Sequence, residues 1–264
     1  MSDYAFRFGG IARLYGADGL ERLRRAHVAI IGLGGVGSWS AEALARSGVG
    51  AITLVDLDDL CVSNINRQLP ALDSTVGRPK IDVLADRIHD IHPECVVTRR
   101  MEFFTETSAA AILEPRFTHL IDAIDSVKNK CLLIAACRER GIPITVCGGA
   151  GGRRDGTQVQ VMDLSRVIQD RLSSEVRKRL RKEHGFPRND KKFGVDCVCS
   201  PEAPVFPRKD GTVCATREAS PTGESLRLNC DWGFGSAAFV TGVFGLVAAG
   251  HAVGKIAGGH SHGP

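Results

Sequence analysis

The sequence predicts an α/β fold: a mostly parallel sheet with helices on both faces, continued by a mixed C-terminal half. Two observations predict it. Short apolar runs alternate with stretches of helical periodicity along the first half of the chain. The first apolar run also ends in a cluster of glycines that opens a helix, an arrangement typical of the carboxyl edge of a parallel sheet.

The elements follow in order along the chain. A short helical lead-in occupies residues 1–25. Apolar runs predict five strands, at residues 27–31, 51–56, 96–99, 119–124 and 142–147. Helical spacing predicts three helices between them, at residues 38–47, 80–91 and 130–140. The pattern changes after Gly152 without a linker, so we expect one domain with a nucleotide-binding half at about 25–152 and a substrate and dimer half at about 153–264.

Composition narrows the class of protein. The formal net charge is only +4, which gives no whole-chain argument for nucleic-acid binding. The chain has 9 cysteines but no C-x-x-C pair, so neither a disulfide framework nor a tetrahedral zinc site is expected. The N-terminus lacks the apolar core of a secretory signal. These features predict a cytoplasmic protein.

One apolar stretch leaves two interpretations open. Residues 232–254 contain no Asp, Glu, Lys or Arg, and a stretch of that length is able to span a bilayer. The same stretch is rich in glycine and is interrupted by Ser236, Thr241 and His251. A buried helix at a subunit interface therefore explains it as well, and we expect no membrane association.

The glycine turn, residues 32–37, carries the sharpest local signal. Its glycines let backbone N–H groups approach a phosphate at the start of a helix. Asp56 ends the next predicted strand, where a carboxylate binds a ribose hydroxyl. This Rossmann-like pattern indicates a nucleotide site, but an NAD-dependent oxidoreductase or a turn without a ligand would show it too.

Charged residues beyond the second strand favour ATP over NAD. Arg67 and Lys80 supply the positive charge that a triphosphate needs as its leaving group develops. Asp125 is expected at the end of the fourth strand, where ligands bind in open parallel sheets. Its carboxylate suits Mg²⁺. A helix N-cap is the alternative role for Asp125.

Together, the glycine turn, Asp56, the run at residues 64–68, Lys80 and Asp125 resemble the ThiF/MoeB/HesA family, bacterial relatives of the ubiquitin-activating enzymes. The resemblance implies a homodimer that binds ATP·Mg²⁺ and activates a carboxylate. It implies catalytic roles for Arg67, Lys80 and Asp125, with Asp125 also holding the metal. It implies nucleotide binding by a larger set, which comprises Gly32, Gly34, Gly35, Gly37, Asp56, Asp58, Asn64, Arg67, Lys80 and Asp125.

Further stretches resemble a tRNA-modifying branch of the family. These are residues 7–10, 13–16, 124–126, 148–152 and 194–197. The resemblance implies ATP-driven cyclisation of a threonylcarbamoyl group on a tRNA adenosine, through either an adenylate or an acyl phosphate. The alternative is an adenylyltransferase for a ubiquitin-like sulfur-carrier protein, which the missing C-x-x-C pairs disfavour.

Two features bear on macromolecular partners. In the basic segment, residues 166–192, Lys and Arg outnumber Asp and Glu by 10 to 4, as expected of a tRNA contact or of a solvated helix face. Cys197 or Cys230 is a candidate to carry sulfur from a cysteine desulfurase, because related enzymes use a loop cysteine for acyl or persulfide transfer. A buried structural thiol is the alternative.

Overall fold

A computed structural model of the chain describes residues 3–208, 210–215 and 234–259. The main sheet consists of β1 (His27–Ile31), β2 (Ala51–Val55), β3 (Val96–Arg100), β4 (His119–Asp122), β5 (Ile144–Cys147), β6 (Gln160–Asp163) and β7 (Asp196–Cys199). Its 7 strands lie in the order β3-β2-β1-β4-β5-β7-β6. Only β6 runs antiparallel to its neighbour. The predicted α/β fold with a mixed C-terminal half is confirmed.

Strand alternation divides the core between the two faces of the sheet. Helices in the described part of the chain are α1 (Asp3–Arg7), α2 (Gly9–Arg25), α3 (Gly37–Arg46), α4 (Lys80–Ile91), α5 (Ala109–Ile112), α6 (Val127–Arg140), α7 (Arg171–Glu183) and α8 (Ala238–Gly258). Val28 and Ile30 of β1 face one cluster, formed with α3, α4 and α8. Ala29 and Ile31 face the other cluster, formed with α5 and α6. A short antiparallel pair, β8 (Phe206–Pro207) and β9 (Val213–Cys214), lies outside this sheet.

The helical lead-in is two helices rather than one short element. α2 contains a break at Gly16, whose φ of 76° lies in the left-handed region that favours glycine. α1 is anchored by Tyr4, whose hydroxyl donates a hydrogen bond to the carbonyl of Gly48 at 2.6 Å. The lead-in therefore packs against the turn that follows α3.

Two strand boundaries differ from the expected ones for identifiable reasons. The fourth strand ends at Asp122 rather than at residue 124, because the N–H of Ile124 donates to the Asp122 carboxylate and the Ile124 carbonyl accepts from Lys130. Asp125 therefore lies beyond the strand, in a loop. The fifth strand begins at Ile144 rather than at residue 142, after Pro143, which has no N–H to donate to a neighbouring strand.

The apolar C-terminal stretch forms α8, which packs against α3, α2 and the sheet. By length and composition α8 is the one helix in the described residues that would suit a membrane span, yet 56% of its apolar window is buried within the fold. Phe244, Ala248 and Ala252 belong to the core cluster shared with β1 and β2. The expectation of a buried helix holds for the residues described, while Trp232 lies outside them.

Candidate functional site

The glycine turn crosses directly over the loop that follows β4. Gly32 has a φ of +90°, and a Cβ atom there would lie 2.9 Å from the carbonyl oxygen of Ala123. A Cβ atom on Gly37 would collide with the carbonyl of Gly32. At Gly34 the nearest atom to such a Cβ is Nε2 of Gln68, at 4.0 Å. Folding therefore requires glycine at positions 32 and 37, whereas glycine at position 34 keeps the outer backbone of the turn bare for a ligand.

Asp56, the residue after β2, is fixed to the glycine turn. Its Oδ2 accepts a hydrogen bond from the N–H of Leu33 at 2.6 Å, and its Oδ1 accepts one from the N–H of Asp58 at 2.9 Å. The residue is buried, with 8% of its surface exposed. The carboxylate expected to bind a ribose thus lies beside the expected phosphate site.

Lys80 begins α4 and reaches back to the same carboxylates. Its Nζ lies 2.7 Å from Oδ2 of Asp58 and 3.9 Å from Oδ1 of Asp56. The lysine is 5% exposed, so its ammonium group is held beside the end of β2 rather than in solvent. The structure thus brings together three of the residues expected to bind nucleotide, Asp56, Asp58 and Lys80.

Arg67 lies against the glycine turn on its other side. The Cγ atom of Arg67 is 3.4 Å from where a Cβ of Gly35 would be. Its guanidinium group donates to the carbonyl of Ser63 at 2.6 Å, while its own carbonyl accepts from Nε1 of Trp39 at 3.1 Å and from the hydroxyl of Thr241 at 3.3 Å. Groups on α3 and α8 therefore fix the backbone that carries this arginine.

Asn64 has a structural contact in addition to any ligand role. The residue is buried, and its Oδ1 accepts a hydrogen bond from the N–H of Cys61 at 3.1 Å. This contact closes the short 3₁₀ turn Val62–Asn64, which leads into the segment that carries Arg67. The asparagine thereby shapes the approach to Arg67.

Asp125 is exposed at the end of the strand-end loop, residues 123–125. Among the described residues, none donates a hydrogen bond or forms an ion pair with its carboxylate. Asp122, three positions earlier, is entirely buried and forms an ion pair with Lys130 at 2.9 Å. Burial raises the pKa of Asp122, and the Lys130 ammonium opposes that rise. The aspartate that ends β4 and the aspartate in the loop after it therefore have opposite surroundings.

The donor set suits a metal that is held mainly by a nucleotide. No group of three or more His, Cys, Asp or Glu side chains in the described ranges gathers as a metal cage. Mg²⁺ is commonly held by one or two carboxylates together with substrate phosphates and waters. Asp125, exposed beside the glycine turn, fits that pattern.

Sequence reasoning missed the residues that support this site from a distance. Lys130 looked like one cation in an ordinary helix, and Trp39 and Thr241 carry no recognisable motif. Thr241 also approaches Gly35, since a Cβ atom there would lie 3.3 Å from the threonine side chain. The apolar α8 thus supports the glycine turn.

The glycine run at residues 148–152 packs against protein rather than leaving space. Oδ2 of Asp170 accepts a hydrogen bond from the N–H of Gly149 at 2.9 Å and occupies the space where a Gly148 side chain would lie. Phe234 fills the corresponding space at Gly151. These glycines allow close packing at the carboxyl ends of β5 and β7.

The sulfur-carrying role considered for Cys197 does not fit its surroundings. Its side chain is wholly buried in the cluster beneath α7. The hydrogen bond with Cys199, together with burial, raises the pKa of its thiol. A buried, protonated thiol is a poor nucleophile. The second candidate, Cys230, lies outside the described residues.

Only part of the basic segment faces solvent. Arg177 donates to the carbonyl of Leu164, and Arg181 donates to the carbonyl of Pro187 while lying over the Phe193 ring. These two arginines secure α7 and are therefore not among the exposed cations of the segment. The exposed cations of the segment are Arg166, Arg171, Lys178, Lys182, Arg188, Lys191 and Lys192.

Known proteins match this chain along most of its length. The tRNA threonylcarbamoyladenosine dehydratase of Escherichia coli strain K12 is 51% identical over 251 residues, covering 95% of this chain and 93% of that protein. The crystal structure of the E. coli enzyme TcdA in complex with ATP superposes with a TM-score of 0.85 at 47% identity, covering 97% of this chain and 96% of that one.

A more distant relative bears on the alternative function. The molybdopterin-synthase adenylyltransferase of E. coli is 34% identical, but over only 55% of this chain. The ThiF family model, in contrast, matches residues 10–263. The fold, the glycine turn and the match over nearly the full length agree: this chain belongs to the ThiF family.

Proposed function

We propose that this chain is an ATP-dependent dehydratase that closes a ring on the threonylcarbamoyl group of a modified tRNA adenosine. The main support for this substrate is the 51% identity to the E. coli dehydratase over 95% of the chain. The carrier-protein adenylyltransferase is the weaker candidate, because its similarity covers only 55% of this chain.

In this proposal, the nucleotide binds at the carboxyl edge of the sheet. Bare N–H groups of the glycine turn contact the phosphates, and Asp56 binds the ribose. Arg67 and Lys80 stabilise the negative charge that develops on the leaving group. Lys80 is near Asp56 and Asp58 in the structure, so the phosphates compete with these carboxylates for its ammonium group.

Asp125 is the residue that would hold Mg²⁺ against the phosphates. Its carboxylate is exposed and lies next to the part of the loop that touches Gly32. When bound, the metal neutralises charge on the phosphates and orients them. Asp125 supplies one oxygen ligand, while the buried Asp122 is occupied by Lys130 and is unable to take this role.

The reaction needs no nucleophile from the protein. A carboxylate oxygen of the modified base attacks a phosphorus atom of ATP, and the P–O bond to the leaving group breaks. An atom of the same side chain then attacks the activated carbonyl carbon, loses its proton, and expels AMP from an adenylate or phosphate from an acyl phosphate. The expelled group carries away the carboxylate oxygen. This intramolecular step gains from proximity. Arg67 and Lys80 therefore act on phosphate charge, not on the ring closure.

The exposed cations of the basic segment are the proposed tRNA contact. α7 begins just after Asp170, whose carboxylate binds Gly149 at the carboxyl edge of the sheet. The helix then runs ~20 Å away from that edge, given a rise of about 1.5 Å per residue. Lys178 and Lys182 follow one another along its exposed side. Backbone phosphates bound there would leave the modified base near the nucleotide site.

We further propose a cytoplasmic homodimer. On α8, Phe239 is 65% exposed and Leu246 is 47% exposed, so the outer side of this buried helix offers an apolar surface to a second copy. The thiols of Cys61, Cys95, Cys131, Cys137, Cys147, Cys197 and Cys199 form no disulfide, as expected in a reducing compartment. A sulfur-transfer partner is not part of the proposal, because Cys197 is buried.

Labelled ATP tests the activation step directly. The protein is incubated with α- and γ-labelled ATP and with tRNA that either carries or lacks the threonylcarbamoyl group. We expect ATP cleavage only with the modified tRNA. AMP and pyrophosphate as products identify an adenylate, whereas ADP and phosphate identify an acyl phosphate. Equal cleavage with both tRNAs would contradict the proposal.

A further inference from the structure

A buried ion pair lies directly beneath the strand-end loop. Asp122 is the last residue of β4 and Lys130 lies on α6, with their charged atoms 2.9 Å apart. The Lys130 side chain is 1% exposed and the Asp122 side chain is not exposed at all. Such a pair is a weak source of stability, because desolvation costs several kcal/mol per ion. Its place in the fold therefore calls for another explanation.

Both members of the pair bind the residue before Asp125. Nζ of Lys130 donates a hydrogen bond to the carbonyl of Ile124 at 2.8 Å, and Oδ1 of Asp122 accepts one from the N–H of Ile124 at 2.9 Å. The two polar backbone groups of Ile124 are thus both held by buried charges. The direction in which the chain leaves toward Asp125 is set by these contacts.

The same loop is held from its other side by the glycine turn. The N–H of Ala123 donates to the carbonyl of Ile31 at 2.9 Å, and the Ala123 carbonyl limits position 32 to glycine. The loop is therefore clamped between the nucleotide-binding turn and the buried pair. Within the part of the chain that the structure describes, Asp125 itself has no contact of this kind, so its position depends on the clamped residues before it.

We propose that Lys130 and Asp122 are positioning residues that hold the strand-end loop so that Asp125 meets the metal carried by ATP. This inference rests on the proposed role of Asp125 within the proposed function. It assigns the buried charges a task that an apolar pair of the same size would not perform. Outer partners of metal ligands typically change metal affinity by ~10–100-fold when they are replaced.

The test is a mutant cycle read out by ATP binding at increasing Mg²⁺ concentrations, without tRNA. The double substitution Lys130→Met with Asp122→Asn removes both charges and leaves no unpaired buried ion. We expect it to raise the Mg²⁺ concentration for half-maximal tightening of ATP binding by ~10-fold. ATP binding without Mg²⁺ should stay within about twofold, since the glycine turn is unchanged.

The Asp125→Ala variant completes the mutant cycle. If the pair acts through Asp125, adding the double substitution to Asp125→Ala produces no further change in the Mg²⁺ requirement. Independent, additive effects would overturn the proposal, and so would an unchanged Mg²⁺ requirement in Asp125→Ala alone. Should the double variant fail to fold, Lys130→Arg, which keeps the charge but moves it, enters the same cycle with the same expectations.

Lys128→Met is the matched control. Lys128 lies on the same helix but is 57% exposed, and it pairs with Glu106 at 3.1 Å on the surface. We expect it to leave the Mg²⁺ requirement unchanged, and an equal shift in this variant would contradict a specific role for Lys130. Because only ATP and Mg²⁺ are used, failure to convert tRNA would overturn the proposed function without changing this result.

Discussion

The carboxylate of Asp56 is joined to the glycine turn by a hydrogen bond of 2.6 Å from the backbone N–H of Leu33. One carboxylate thus shapes the turn and faces the expected ribose. Asp56→Asn removes the charge and leaves one acceptor oxygen, whereas both oxygens of Asp56 accept backbone hydrogen bonds. We expect ATP affinity to fall by ~10-fold or more, since hydrogen bonds to charged groups contribute about 1.5–3 kcal/mol. Calorimetric ATP titration measures it, and unchanged affinity would contradict the assigned role.

A pair of glycines on α8 tests whether this helix is part of the folded core. A Cβ atom on Gly245 would collide with the carbonyl of Val36 and approach Cβ of Trp39 to 2.7 Å. Gly245→Ala should therefore lower the free energy of unfolding by ~1–3 kcal/mol. Gly250 is exposed and has no neighbour within 4 Å, so Gly250→Ala should raise stability by ~0.5–1 kcal/mol. Denaturant unfolding measures both variants, and equal effects would mean that α8 is not packed as described.

The site was predictable where its signals are local. The turn at Gly32 and Gly37 was recognisable because a strand, a tight turn and a helix start follow one another in the sequence. Asp56 was predictable for the same reason, since it ends the next strand. The fold followed from the same alternation of apolar runs and helical spacing.

Contacts between distant segments were not predictable. The strand-end loop begins two residues earlier than expected, because Lys130 on the following helix donates a hydrogen bond to the carbonyl of Ile124. The hydrogen bond from Thr241 to the carbonyl of Arg67 joins residues 174 positions apart, and no periodicity indicates it. The partial burial of Arg177 was not predictable, because composition alone indicates that a charged residue in a helix is exposed to solvent.

Because His119 is buried, we expect the folded protein to lose stability in mild acid. Burial lowers the pKa of His119 to about 3 from an ordinary value of 6.5, and its Nε2 is hydrogen-bonded to the hydroxyl of Thr145 at 2.8 Å. Between these two pH values the unfolded chain holds the extra proton, so stability falls as the pH falls. Above pH 6.5 both states are neutral and the contribution is complete.

His119→Gln removes this titration while keeping a polar partner for Thr145. We expect the loss of stability between pH 7 and pH 5 to be smaller in the variant than in the wild type. Urea unfolding at both pH values measures the difference. Identical losses in the two proteins would mean that His119 is not held neutral by the fold.

The basic segment predicts a salt-dependent tRNA contact. Reversing Arg171, Lys178, Lys182 and Lys191 to Glu spares the packed arginines Arg177 and Arg181. Contacts by all four would contribute a salt slope of roughly three to four, which the reversal should remove. ATP affinity should hold, because the glycine turn is untouched.

The measurement is tRNA affinity at several salt concentrations. Reversal of Arg25 and Arg99, exposed cations on α2 and β3, serves as a control of similar kind and should have little effect. An unchanged slope and affinity in the four-residue variant would show that this face is merely solvated.

The most direct test of the proposed dehydratase activity is the fate of the modified nucleoside. Purified protein, ATP and Mg²⁺ are incubated with tRNA carrying threonylcarbamoyladenosine, and the digested nucleosides are analysed by mass spectrometry. We expect an ATP-dependent product lighter by one water molecule, which Asp125→Ala fails to form. Unaltered nucleoside in the presence of ATP, with adenylation of a sulfur-carrier protein under the same conditions, would contradict it.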